Sequence, residues 1–318
     1  MQNKATAIVY PKANKVALME VEHQPMGPSD VLVKTIVTSV TPGLERMQIT
    51  GKSVTRKVIK FPVLPGSEMV GEVIGIGEFV RGIEVGEFVY VNRSDKWLNV
   101  DSLFGCQAER VLTDFHNVLP LGTTPLNRSL LIGLIGYVIS GIKKINLQEA
   151  ENILVLGLGS VGLMVVEYLR YKGFHNVDGL ETFSIRAKIS SAQNIALHIE
   201  DFTKDFHDRY DVIIEATGRL LLIEQAVSLL KPQGKFLLLG NYEVTKYDYR
   251  LIQDKEPALI SSAIVSDEDM IQAKRILSDE NFPADKFITH VFPSHDYNRG
   301  LETALNASDA IKTVLTWR

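Results

Sequence analysis

The stretch from Asn152 to Glu181 reads NILVLGLGSVGLMVVEYLRYKGFHNVDGLE, and its spacing decides how the surrounding chain must fold. Ile153, Leu154, Val155 and Leu156 form a short apolar run, the pattern of a strand buried on both faces. Gly157, Gly159 and Gly162 follow at the spacing G-x-G-x-x-G. The first permits a tight turn, the second lets the backbone approach a diphosphate, and the third lets the next helix sit close on the strand. Val161, Met164, Val165, Tyr168 and Leu169 then recur on one helical face. The N-terminus of that helix, opened by Ser160 and Val161, would hold an anion. A second apolar run from Asn176 to Leu180 ends in Glu181, where a carboxylate can accept hydrogen bonds from an adenosine ribose. The glycines alone are a weak signal, but strand, glycines, helix, strand and acid in one unit predict dinucleotide binding.

Glu181 also bears on which dinucleotide. A 2′-phosphate beside a carboxylate meets a repulsion of about 4 kcal/mol at most, at ~4 Å and intermediate dielectric, so NAD is favoured over NADP. Arg186, close behind, could instead rescue a phosphate, cover the adenine or form a surface pair.

The chain has 318 residues, enough for two domains that each bury a core. Its 34 Lys and Arg against 38 Asp and Glu leave a net charge of −4 without a basic run, which argues against nucleic acid as the main partner. No stretch approaches twenty apolar residues, and Met1 to Lys15 lacks the pattern of a signal peptide, so a cytoplasmic protein without stable membrane insertion is expected. A single cysteine, Cys106, excludes an internal disulfide and any multi-cysteine zinc site.

Before the glycine unit the rhythm is that of short strands. Ala5 to Tyr10 and Lys15 to Val21 suggest an opening hairpin, and Val31 to Val40 a third strand. A short helix is expected over Leu44 to Ile49. Pro62 to Gly77, Val85 to Val91 and Gly105 to Leu112 continue as glycine-punctuated strands of a small, strongly curved sheet. An apolar helix is predicted over Leu126 to Ile145. Beyond the glycine unit, strands at Asp211 to Glu215, Lys235 to Gly240 and Ala258 to Val265 alternate with helices, one lined by Ile223, Ala226, Val227 and Leu230. Such alternation predicts an α/β fold with a parallel doubly wound (Rossmann) sheet that binds its ligand beyond the carboxyl ends of its strands. Glu215 to Gly218, including Thr217, and Gly240 to Tyr242 should therefore rim the cofactor cleft. After Asp267 the alternation stops, as if the chain returned to complete the first domain. The expected division is 1–121 with 267–318, and 122–266.

This layout resembles the medium-chain dehydrogenase/reductase superfamily over nearly the whole chain. The resemblance rests on Leu64-Pro65-Gly66-Ser67-Glu68, Gly105-Cys106-Gln107-Ala108-Glu109, the nucleotide unit, and the ending from Ile288 to Leu315. It implies a GroES-like, barrel-type catalytic domain beside the Rossmann domain, and a homodimer by analogy. Zinc-bearing members carry ligands at places that look to be held here by Thr41, Ser67 and Leu134, which form no credible ligand set. The four-cysteine structural lobe is replaced by the shorter segment Asn92 to Leu103. A zinc-free member is inferred. Ser39 to Glu45, Ser102 to Gly105 and Lys312 to Arg318 are most similar to the hydroxyethyl-bacteriochlorophyllide dehydrogenases. That similarity implies NAD-dependent oxidation of a secondary alcohol on a bacteriochlorophyllide-type chlorin to an acetyl group.

Without a metal the chemistry needs positioning and one proton acceptor. Thr41 and Ser67 could hold the hydroxyl, and Glu45 or Glu68 could take its proton if burial raises the pKa. Against this, Glu68 could form a structural ion pair with an arginine, and Thr41 could cap the helix that follows it. Tyr137 is a weaker alternative donor, Cys106 an inert packed thiol, and the seven histidines are scattered without ligand spacing. Trp97, Phe104, Met47 and Ile49 could form an apolar wall for a macrocycle or belong to the core. Two other functions compete: a zinc-free NAD(P)H-dependent quinone or enone reductase, and a non-catalytic nucleotide- or pigment-binding protein.

Overall fold

The computed structural model describes residues 3–53, 58–149, 151–204, 207–242 and 248–317. The chain divides into two compact units, Met1–Gly133 with Phe287–Arg318, and Leu134–Lys286.

The first unit is built on a seven-stranded sheet. Its path runs Ile288–Pro293, Lys312–Thr316, Asp30–Val40, Met69–Ile76, Phe88–Val91 and Val118–Pro120, and Arg110–Asp114 also pairs with Asp30–Val40. Val31 and Val33, two apart on one strand, bury the same face with Met69, Val73, Val89, Val91 and Val111. Two register shifts between Asp30–Val40 and Met69–Ile76 bend the sheet as bulges do. Gly71 makes the curvature possible, because a Cβ there would lie 2.3 Å from the Lys34 carbonyl oxygen. The expected hairpin is present as the antiparallel pair Lys4–Val9 and Ala17–Glu22. The strand expected at Gly105 starts only at Arg110, because Gly105 turns with φ +70°. Trp97 belongs to the core of this unit and donates its indole N–H to the Gly105 carbonyl at 3.0 Å.

The second unit holds a six-stranded sheet in the order Ile195–Ala196, Val177–Leu180, Ile153–Leu156, Tyr210–Glu215, Leu230–Leu238 and Ala258–Ser261. Every pairing is parallel. The strand order reverses between Ile153–Leu156 and Tyr210–Glu215, the doubly wound arrangement with its ligand crevice at the switch point. The helix expected over Leu126 to Ile145 is two helices, Leu126–Ser129 and Ile132–Ile145. Leu230, expected on a helix, opens a strand instead, since the helix ends at Ala226 in a tighter turn.

The helix Asp267–Leu277, expected to return with the tail, packs within the second unit. Lys143 bonds Asp269 there at 2.6 Å, and Tyr171 bonds Asp279 at 2.7 Å. The units thus divide at 133/134 and 286/287 where the sequence suggested 121/122 and 266/267. Among the described residues no helix is long and apolar enough to cross a membrane.

Candidate active site

The glycine turn lies in the second unit. Gly157 has φ +85°, and a Cβ on Gly162 would lie 1.8 Å from the Gly157 carbonyl oxygen, so a side chain there would break the turn. Gly159 differs: a Cβ there would meet nothing within 4 Å. It stands at the N-cap of the helix Ser160–Tyr171, where no side chain caps the end. The first N–H groups of this helix, from Ser160 and Val161 onward, therefore face an approach open to an anion, which fits a dinucleotide diphosphate.

Glu181 braces this turn from the neighbouring strand. It is buried, and its carboxylate accepts the backbone N–H groups of Leu158 and Phe183, both at 2.9 Å. A carboxylate has about four lone-pair sites, so capacity for a ribose remains. Arg186 sits on the helix Ser184–Ile189 with its guanidinium 4.9 Å from the centre of the Phe183 ring, a cation–π contact.

Thr217 and Gly240 join the same rim. A Cβ on Gly157 would lie 2.3 Å from the Thr217 methyl, and one on Gly240 would lie 2.4 Å from the Gly218 nitrogen. Glu215, at the end of its strand, ties these loops together. It accepts the N–H groups of Thr217 at 2.7 Å and Gly218 at 3.0 Å, and the hydroxyls of Thr217 and Tyr242. Tyr137 donates to the Leu239 and Ser262 carbonyls at 3.0 and 3.1 Å, and burial raises its pKa to about 12. It serves the backbone rather than offering a free proton.

In the first unit the chain brings Thr41 and Ser67 together, hydroxyl to hydroxyl at 3.0 Å. Thr41 occupies the N-cap of the helix Pro42–Gln48, yet its side chain makes no capping bond. Glu45 lies one turn on and is buried, and its N–H bonds the Thr41 carbonyl at 3.0 Å. Its carboxyl group accepts the hydroxyl of Tyr10 beside a small cavity that Val40, Pro65 and Leu315 also line. Desolvation pushes its pKa up to about 7, against a smaller opposing pull from the Tyr10 hydrogen bond.

Glu68 is differently placed. Its carboxylate accepts Ser39 Oγ at 2.7 Å and Tyr90 Oη at 2.8 Å, and forms a buried ion pair with Lys312. The structural partner is thus a lysine, where the alternative weighed from the sequence was an arginine. Gly133 keeps this cluster compact, since a Cβ there would lie 2.5 Å from the Tyr90 hydroxyl and 2.7 Å from Glu68 Oε2.

Residues 27–123 match the alcohol dehydrogenase GroES-like domain family. A 2-desacetyl-2-hydroxyethyl bacteriochlorophyllide A dehydrogenase of Cereibacter sphaeroides is 23% identical over 99% of this chain and 99% of its own. A short-chain alcohol dehydrogenase of Escherichia coli in complex with NADH superposes with a TM-score of 0.85, at 22% identity over 99% of this chain and 100% of its own. A Sinorhizobium meliloti dehydrogenase bound to NADP gives 0.82, at 18% identity over 99% and 100%. The fold is that of a medium-chain dehydrogenase/reductase.

Among the described residues of this medium-chain dehydrogenase/reductase fold, no three His, Cys, Asp or Glu side chains converge as metal ligands. Cys106 is buried, and burial raises its thiol pKa well above the usual value, so it is a packed, unreactive group. His290 bonds its neighbour Thr289 and lies 3.7 Å from Asp309. Sequence reading missed Lys312, Tyr10, Tyr90 and Ser39. Lys312 carried a signal nonetheless: it is the one charge in the otherwise uncharged run Ala310 to Trp317.

Proposed function

We propose that this chain is a zinc-independent, NAD-dependent dehydrogenase that oxidises the 3-(1-hydroxyethyl) group of a bacteriochlorophyllide to 3-acetyl. One observation carries the chemical reading. The helix N-terminus behind Gly159 is open, and in the first unit the hydroxyls of Thr41 and Ser67 pair at 3.0 Å, at positions that the family resemblance aligns with zinc ligands. The substrate class is supported by the likeness to the Cereibacter sphaeroides enzyme along both chains. The preference for NAD is supported by Glu181, whose buried carboxylate would repel a 2′-phosphate.

NAD, held at the turn of Gly157, Gly159 and Gly162, would supply the acceptor for the carbinol hydride. The protein's own residues have two tasks in this reading. Thr41 and Ser67 orient the substrate hydroxyl through their paired oxygens and pass on its proton. Glu45 receives it, because a carboxyl group with a pKa near 7 can take a proton at neutral pH and lose it again. Glu68 is the weaker acceptor, since three donors already occupy its carboxylate. The balance is one hydride to the nicotinamide and one proton to Glu45, leaving the ketone. A conjugated macrocycle next to the carbinol carbon delocalises the positive charge that develops as hydride leaves.

The test is incubation with NAD or NADP and a set of hydroxyethyl chlorins, read by NADH absorbance and by the shift of the chlorin band. Turnover with NAD that survives dialysis against a chelator is expected. Loss of turnover on chelation would end the zinc-free reading, and turnover of quinones with NADPH alone would favour a reductase.

A further inference from the structure

Five acids are buried among the described residues of the unit Leu134–Lys286: Glu167, Asp178, Glu181, Glu215 and Asp269. Three of them have a cation: Glu167 pairs with Lys286 at 2.7 Å, Asp178 with Arg209 at 3.2 Å, and Asp269 with Lys143 at 2.6 Å. Among the described residues the other two have none. Glu181 and Glu215 are also the two that stand at carboxyl ends of strands, where a doubly wound sheet binds its ligand. A buried charge without a counter-charge is costly, and the fold tolerates it where something else supplies the compensation.

The topology separates the roles of these two acids. A dinucleotide lies across the switch point with one mononucleotide over each half of the sheet. Glu181 follows the strand Val177–Leu180, in the half that takes the adenosine. Glu215 ends the strand Tyr210–Glu215, in the half left for the nicotinamide mononucleotide. Its relative exposure is 0%, and all four of its partners are donors, so it is held as an acceptor-only carboxylate. The nicotinamide ring is positively charged when oxidised and neutral when reduced.

We propose that Glu215 discriminates between the redox forms of the cofactor: its buried carboxylate, paired with no cation among the described residues, favours the positively charged oxidised nicotinamide over the neutral reduced one. Glu215 is thus a positioning residue with an electrostatic bias, acting through the loops that it ties and through its field. The consequence for alcohol oxidation is easier departure of the reduced cofactor. This inference rests on the nicotinamide-dependent reading of the fold.

The experiment is calorimetric binding of NAD+ and of NADH to the full-length wild type, Glu215→Gln and Tyr242→Phe. In Glu215→Gln the ratio of the NADH to the NAD+ dissociation constant should fall on the order of tenfold, as loss of a buried charge on the nicotinamide side of the sheet implies. Tyr242→Phe alters a half-buried ring and keeps the carboxylate while removing one of its hydrogen bonds, so the ratio should rise. A ratio in Tyr242→Phe that falls or stays at the wild-type value overturns the proposal even where Glu215→Gln does not fold. Equal weakening of both forms in Glu215→Gln would also overturn it and assign the residue a purely structural role. Failure of the wild type to bind either form refutes the nicotinamide reading itself, whereas binding of both with an unchanged ratio in Glu215→Gln refutes this inference alone.

Discussion

Glu45 and Glu68 show how one residue type takes two characters in one unit. Glu68 has a lysine and two hydroxyls; Glu45 has one tyrosine hydroxyl and a pKa near 7. The folded state therefore binds the Glu45 proton more tightly than the unfolded chain does. Its contribution to stability is fully present below the ordinary glutamate value of about 4.5 and is lost as pH rises through about 7, amounting to about 3 kcal/mol. We expect urea unfolding to show this decline between about pH 4.5 and 7 in the wild type, and a flatter profile in Glu45→Gln; parallel profiles would disprove the assignment. For Glu68 the sensitive partner is Lys312. Lys312→Met leaves a buried carboxylate with no cation and should cost about 3–5 kcal/mol in denaturant titrations. A change below about 1 kcal/mol would mean that the pair is not buried in solution.

At the scale of elements, the glycine turn and its helix separate two effects that a sequence motif merges. Gly162 is required by packing, because its hydrogen faces the Gly157 carbonyl; Gly159 faces open space and has an ordinary φ of −69°. Gly162→Ala should therefore lower stability and abolish dinucleotide binding together. Gly159→Ala should leave the melting temperature within a few degrees of wild type, since an N-cap alanine costs ~1 kcal/mol, while its methyl obstructs the diphosphate. Calorimetry with NAD beside a thermal melt distinguishes the two. Retained NAD affinity in Gly159→Ala would place the diphosphate elsewhere.

At the scale of the molecule, each unit has its own buried core, and the glycine cradle belongs to Leu134–Lys286. A dinucleotide that binds only the folded protein should stabilise it by about 2.7 kcal/mol at a hundredfold excess over its dissociation constant. We expect a melting-temperature rise with NAD, a smaller one with NADP at the same concentration, and no change on adding a chelator. A larger shift with NADP would reverse the reading of Glu181 and give Arg186 the leading role. The bacteriochlorophyllide reading is tested at this scale too, since only the whole chain resembles that enzyme.

The nucleotide half of the protein was legible because its determinants are local. An apolar run, three glycines, a helical face and an acid fall within thirty consecutive positions, and backbone sterics leave them one arrangement. The paired hydroxyls of Thr41 and Ser67 were legible only as two separate candidates, twenty-six positions apart. Nothing in the sequence said that Glu68 would meet Lys312, 244 positions away, that Glu45 would turn to Tyr10, or that the helix Asp267–Leu277 would stay with the second unit. Local propensity and spacing determined the strands and the glycine turn. Which buried acids acquired a cation was decided by long-range packing, because the partners lie far apart in sequence and meet only in the folded, low-dielectric interior.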